Sequence, residues 1–300
     1  LMLVSLMLDQ EKNIKVAVGT STPSIHTTTT DGSGDWSIID IDDANLSTTT
    51  SFTVWLDGDA NDATTLVSGY SGSNITSIPL YYAFTIANAT SSTATIDVGN
   101  YSFYDVDNDA DILYRVSATS TTISSDFLIK QGIFSAPTTT LSISGNYQNN
   151  ATFTNNYGSI FLTGVSKTLS GTLTGTNALY DLKVTGSYTI ATSSASTTNL
   201  FILDGGSLVA SSSLTVKGNF SNQGTFDSNG GTLYMENVKD EIIGYLGGGD
   251  SSGDGDGYVS IAELTTVGNY LYVGKSGYGT ACSQTAGSAA GCELMVFNIS

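Results

Sequence analysis

The chain has 300 residues, with 9 Lys+Arg against 27 Asp+Glu, a formal net charge of −18. That length supports two or three domains with sizeable cores and argues against a disordered chain. The acidity argues against partners that are themselves polyanions, namely nucleic acid and anionic membrane surfaces. Only 12% of residues are charged and 40% are hydrophobic, while 41 Ser, 42 Thr, 33 Gly and 16 Tyr favour strands and turns over helices. The composition predicts an all-β protein.

Residues 1–8 form an apolar run with no basic residues before it and no small-residue cleavage site after it, so it is not a complete signal peptide. No segment reaches the ~20 apolar residues of a membrane span. Without an initiator Met, the chain reads as a piece of a longer protein. From residue 14 to residue 56, short strand-like runs (14–18, 36–41, 51–56) alternate with turn chemistry at 31–35 and at Asp57-Gly58-Asp59, and an aromatic strand follows at 79–86. This spacing predicts a β-sandwich-like module over residues 1–90, followed by an acidic connecting segment, 91–125.

An internal repeat organises the next part. Residues 141–171 align with 214–244 at a constant offset of 73, and ten of 31 positions are identical, among them Leu141/Leu214, Gly145/Gly218, Asn146/Asn219, Asn149/Asn222, Phe153/Phe226, Asn156/Asn229 and Gly158/Gly231. Each copy holds two strand-like triplets at the same spacing, Leu141-Ser142-Ile143 then Ile160-Phe161-Leu162, and Leu214-Thr215-Val216 then Leu233-Tyr234-Met235. Similar triplets lie between the copies at 182–184 and 200–202. A coil of roughly 20 residues carrying short strands is the unit of a parallel β-helix, because each coil buries its inward residues only against a neighbour. The spacing therefore predicts β-helix repeats over residues 126–245, with like side chains stacked in columns. Gly145 and Gly158 are expected at corners with φ > 0, and the Asn146 and Asn149 amides are expected to satisfy corner backbone groups. The competing arrangement is a β-sandwich of duplicated hairpins. Residues 246–300 begin with a Gly/Asp linker and continue with three strand candidates, 258–264, 270–273 and 294–298.

Three segments resemble known proteins. Gly-Asn-(Tyr/Phe)-x-Asn-x-x-Thr-Phe at 145–153 and 218–226 resembles the right-handed β-helix repeats of bacterial exported surface and adhesin-like proteins. Gly-Asn-Tyr-Leu-Tyr-Val at 268–273, with Cys282, Cys292 and residues 293–300, is similar to one blade of the LVIVD-type β-propeller repeat. Residues 27–56, with Thr-Thr-Asp-Gly-Ser-Gly-Asp-Trp-Ser at 29–37, look like sandwich modules of the regulatory-like or prealbumin-like sort. The resemblance implies an extracellular or cell-surface modular protein, of which this chain holds a single, truncated propeller blade, since one blade does not close a ring.

Metal sites are the first chemistry to weigh in so acidic a chain. Ser252-x-Asp254-x-Asp256-Gly-Tyr258-x-Ser260-x-x-Glu263 matches much of the calcium-loop pattern, with Ser252 where an Asp is usual. A weaker match, Asp105-x-Asp107-x-Asp109-x-Asp111, has the same two-residue spacing. Each reads as a calcium site or as a solvated acidic turn. Cys282 and Cys292, ten apart, suit a disulfide in an oxidising compartment, with free buried thiols as the alternative. They do not suit zinc, which wants four ligands.

Catalytic signatures are missing. The single histidine, His26, sits in a Ser/Thr run with no triad arrangement, no phosphate loop joins a strand to a helix, and the acidic residues of 126–245 are thinly spread. Tyr81, Tyr82, Tyr101, Tyr104 and Tyr114 read as core or ladder aromatics rather than sugar platforms. The expected function is a non-enzymatic extracellular structural or adhesion protein, with calcium as the candidate cofactor and other surface proteins, matrix or polysaccharide as partners, and with no nucleic acid and no membrane insertion. The alternatives are a carbohydrate-binding surface protein and a β-helix polysaccharide lyase or hydrolase.

Overall fold

Two or three inward apolar residues on a short strand, closed by a corner of small residues, form the unit that builds most of this molecule. The structure, a computed structural model, describes residues 3–5, 11–19, 23–39, 41, 46–101, 111–117, 119–236, 260–267, 270–276 and 294–298. Their regular elements are β-strands apart from 3-10 turns at Val98–Asn100 and Gly175–Asn177. Among them no helix is long and apolar enough to cross a membrane.

Residues 84–101 and 119–236 form a parallel β-solenoid with three walls, and Tyr114–Val116 pairs antiparallel with Ser120–Ile123 at the end of the first. The first wall stacks Ser120–Ile123, Thr140–Ile143, Ser159–Leu162, Leu179–Val184, the end of Ser194–Ile202 and Phe220–Asn222. In the second wall eight parallel strands follow one another: Thr64–Val67, Phe84–Asn88, Asp126–Gln131, Tyr147–Asn149, Lys167–Gly171, Ser187–Ile190, Ser207–Val209 and Thr225–Asp227. The third holds Thr95–Asp97, Ile133–Ser135 and Thr152–Thr154, then a bridge from Leu173 to Ala195, then Ser213–Val216 and Thr232–Met235. Inward residues lie over one another as the coil predicts. Leu141, Ile160, Leu182, Leu200 and Phe220 are successive partners in the first wall, each one coil further along the chain. Ile96, Phe134 and Phe153 do the same in the third. All of these belong to or border one continuous core that runs from Leu66 to Phe226. Such stacking excludes the duplicated-hairpin sandwich for this region.

The two copies of the repeat do not occupy the same walls. Thr140–Ile143, Tyr147–Asn149 and Thr152–Thr154 stand in the first, second and third walls, whereas their counterparts Ser213–Val216, Phe220–Asn222 and Thr225–Asp227 stand in the third, first and second. The step from one copy to the next is therefore three full coils and two further walls, and the second copy is turned by one wall about the solenoid axis.

The glycine expectation is corrected. Neither Gly145 nor Gly158 has a positive φ. A Cβ on Gly145 would stand 2.2 Å from the Ser125 carbonyl oxygen, and one on Gly158 would stand 2.1 Å from that of Pro137. The glycines are needed because the coil below passes too close for a side chain. The same holds along the corner from first to second wall at Gly164, Gly186 and Gly224, where the nearest carbonyl oxygen lies 1.9, 1.8 and 2.2 Å from the added atom. Left-handed residues lie elsewhere in the repeat: Asn156 and Tyr157 (φ 46° and 60°) with their counterparts Asn229 and Gly230 (φ 51° and 68°), and Ser166 and Gly171 (φ 56° and 83°).

Corner amides do satisfy backbone groups. Asn146 takes its backbone N–H and its amide to the two oxygens of Asp126, at 2.7 and 2.8 Å, and accepts the Thr168 N–H at 2.9 Å, so one chain of polar contacts climbs three coils. Asn149, fully buried, donates to the Thr172 carbonyl at 3.0 Å and accepts the Ala151 N–H at 3.1 Å. Tyr188 reaches down from its own coil, donating to the Ile143 or Gly145 carbonyl at 3.0 and 3.1 Å and accepting the Gly164 N–H at 3.1 Å; burial pushes its hydroxyl pKa up.

At the N-terminal end the second wall continues into antiparallel strands. Thr64–Val67 pairs with Phe52–Asp57, which pairs with Asn13–Val18, which pairs with Ser24–Thr29, so a single eleven-stranded sheet runs through both regions. These strands carry a core of their own, with Ile14, Val16, Trp36, Phe52 and Val54 closed over by Tyr70, Ile75, Ile78 and Leu80. Tyr101 and Tyr114, packed edge to face at 6.4 Å, plug the end of the solenoid core, and the Tyr101 hydroxyl donates to the Val67 carbonyl at 2.6 Å. At the other end of the chain, Ser260–Val267, Tyr270–Ser276 and Leu294–Asn298 form a three-stranded antiparallel sheet.

Candidate functional site

The outward face of the first wall departs from the rule that such faces are polar. In the register Ser142, Phe161, Lys183, Phe201, Ser221, the flanking residues Ile160, Leu162, Leu182, Val184, Leu200 and Ile202 all face inward and are buried. Alternation therefore forces Phe161 and Phe201 outward, where both remain partly exposed. The Lys183 ammonium, on the coil between them, lies 5.9 Å from the Phe201 ring centroid. Adjacent coils are ~4.8 Å apart, so the two rings stand roughly 10 Å apart along the axis.

Two positions toward the third wall, a polar column runs parallel to this one. Asp181 accepts the Asn199 amide at 2.7 Å and the Ser159 hydroxyl at 3.3 Å, and the Asn199 oxygen accepts the Asn219 N–H at 2.8 Å. Beyond it, at the corner, the Tyr157 and Tyr180 rings meet edge to face at 5.3 Å. Tyr157 is 79% exposed. The face thus carries four aromatic rings around one ammonium, one carboxylate and several amide and hydroxyl groups.

Residues singled out in the sequence lie elsewhere. Ser252, Asp254, Asp256, Tyr258, Asp105, Asp107, Asp109, Cys282 and Cys292 fall outside the described residues, as does Tyr104. Ser260 and Glu263 belong to the strand Ser260–Val267, with their backbones opposite Ser276 and Gly274. Asp111 is buried against the N-terminal region, where it accepts the Gly58 N–H at 3.1 Å. Among the described residues no group of three or more His, Cys, Asp or Glu gathers to hold a metal ion. His26 lies on the edge strand Ser24–Thr29 with its Nε2 3.2 Å from the Ser24 hydroxyl. The first-wall aromatics were absent from the sequence expectations, although the unbroken apolar triplets Ile160-Phe161-Leu162 and Leu200-Phe201-Ile202 break the strict alternation of a one-sided strand and so signal an apolar residue on the outer face. No protein-family model, curated protein or solved structure matches the chain.

Proposed function

We propose that this chain is a non-enzymatic structural segment of an exported surface protein, in which the solenoid is a stiff spacer that holds neighbouring modules away from the cell. What carries the reading is the uninterrupted core from Leu66 to Phe226, shared by eight consecutive parallel strands of one wall. Stacked in this way they form a column of about 35 Å in which every coil braces the next. Right-handed winding, a sandwich at residues 1–90 and a first propeller blade at 246–300 belong to the same proposal. They are supported by the strong preference of parallel crossovers for that hand, by the separate N-terminal core, and by the antiparallel three-stranded sheet.

In an oxidising extracellular setting Cys282 and Cys292 would form a bridge, and calcium would neutralise the acidic stretches at 105–111 and 252–263. Antibody raised against the purified chain is expected to label intact source cells, and labelling only after lysis would overturn surface display. Small-angle scattering is expected to give an elongated particle, and a compact, near-spherical one would overturn the spacer. Thiol-blocking mass spectrometry and a thermal melt with and without chelator check the bridge and the calcium separately.

A further inference from the structure

The first wall is built at a cost that its structural role does not require. Tyr157 occupies a left-handed turn position, sterically unfavourable for a bulky residue, and the second copy of the repeat places Gly230 at the equivalent position. The same turn is thus made with glycine at another corner of the solenoid. Tyrosine instead holds a ring that is 79% exposed and braced edge to face on Tyr180. On the same face Phe161 and Phe201 leave apolar surface partly in water.

We propose that this face binds an extended, uncharged, β-linked polysaccharide lying along the solenoid axis. The rings of Phe161 and Phe201 stack on the apolar faces of its pyranose units, Lys183 and Asp181 exchange hydrogen bonds with its hydroxyls, and Tyr157, at the corner beyond Asp181, flanks the chain. The spacing fits such a chain: two coils separate Phe161 from Phe201, roughly 10 Å, about two hexose units in an extended glycan. Charge selects the uncharged polymer. Lys183 and Asp181 balance on the face itself, and the whole chain at −18 repels polyanionic glycans and nucleic acids. Stacking tolerates any hexose that presents a flat apolar face, so the class fixed is neutral and β-linked.

Affinity electrophoresis of the full chain through gels containing a soluble neutral β-glucan, with polygalacturonate as the anionic comparison, tests this directly. Retardation by the β-glucan and none by polygalacturonate is expected. Phe161→Ala combined with Phe201→Ala should weaken the glucan interaction at least tenfold with an unchanged far-ultraviolet circular dichroism spectrum. Tyr157→Gly, which takes the residue of the second copy, should weaken binding without lowering the melting temperature, and so serves if the double variant misfolds. Unretarded wild-type protein, equal retardation of Tyr157→Gly, or stronger retardation by polygalacturonate would each overturn the proposal. None of these outcomes touches the spacer, which the scattering profile judges alone.

Discussion

Between residues 11 and 80 the strands pair antiparallel with one another and most turns open into solvent, whereas between 84 and 236 every pairing of described strands but that of Tyr114–Val116 with Ser120–Ile123 is parallel and many corners press against the coil beneath. Glycine exposes the difference. Gly19, Gly58 and Gly72 adopt left-handed φ values of 96°, 66° and 86° and have no atom within 4 Å of an added Cβ. Gly145, Gly164, Gly186 and Gly224 have no such φ, yet a carbonyl oxygen waits within 2.2 Å of the added atom. Left-handed glycines at open turns occur in both regions, since Gly175, Gly205 and Gly230 of the solenoid share them, but among the described glycines a neighbouring carbonyl crowds only those of the solenoid. Polar anchoring differs too. The N-terminal strands use ion pairs, Lys12 with Asp59 and Lys15 with Asp57 at 2.7 Å, while the solenoid corners rely on asparagine amides that pair backbone groups of neighbouring coils.

The sharpest test of that contrast is a side chain at a crowded corner. Gly186→Val should destabilise the solenoid by about 5 kcal/mol, because the clash is with backbone and neither coil can yield without losing its ladder. Urea unfolding followed by circular dichroism reads this. Phe134→Ala comes next, at about 3–5 kcal/mol, since it empties the third-wall column between Ile96 and Phe153. Asn149→Ala should cost about 2 kcal/mol through buried backbone groups left without partners.

Alkali should act mainly on the solenoid and its end plug. Burial pushes the hydroxyls of Tyr101, Tyr114 and Tyr147 above their usual pKa of about 10. Their contribution is whole below that value and is lost as pH rises beyond it, so the urea midpoint should fall on going from about pH 9 to about pH 11. The smallest effects belong to the N-terminal region. The Lys12 ammonium, hydrogen-bonded to Asp59, holds that carboxyl below its usual range, a contribution present above about pH 4 and lost in acid. Lys12→Ala should therefore cost less than about 1 kcal/mol, and less still in high salt. Gly58→Asn, at an open turn whose φ asparagine tolerates, should cost a few tenths of a kcal/mol, roughly a tenth of the Gly186 effect. Equal losses at the two glycines would show that carbonyl crowding does not set the solenoid corners apart.

The solenoid was legible in the sequence because its signal is local and repeated. Leu141, Ile160, Leu182 and Leu200 lie one over another as their spacing requires. The reason for the glycines was not legible, since Gly145 owes its identity to the Ser125 carbonyl, one coil earlier, which only stacking brings near. The continuity of the N-terminal strands with the second wall was hidden for a similar reason: strand pairing across Thr64–Val67 leaves no mark in either strand alone. The first-wall face emerged only from register. Phe161 and Phe201 are distant in the chain and share a column through Lys183.

The duplicated segment, displaced by a third of a revolution, says how such a shaft grows. A length of chain worth one strand and one bend, not a whole lap, is the smallest unit that can be inserted or removed while the ladder stays in step. Like stretches of sequence then point in different compass directions, and surface decoration inherited by copying winds around the shaft instead of lining one side. Tyr157 and Gly230 are one such pair, at equivalent places in the two copies and at different corners of the shaft.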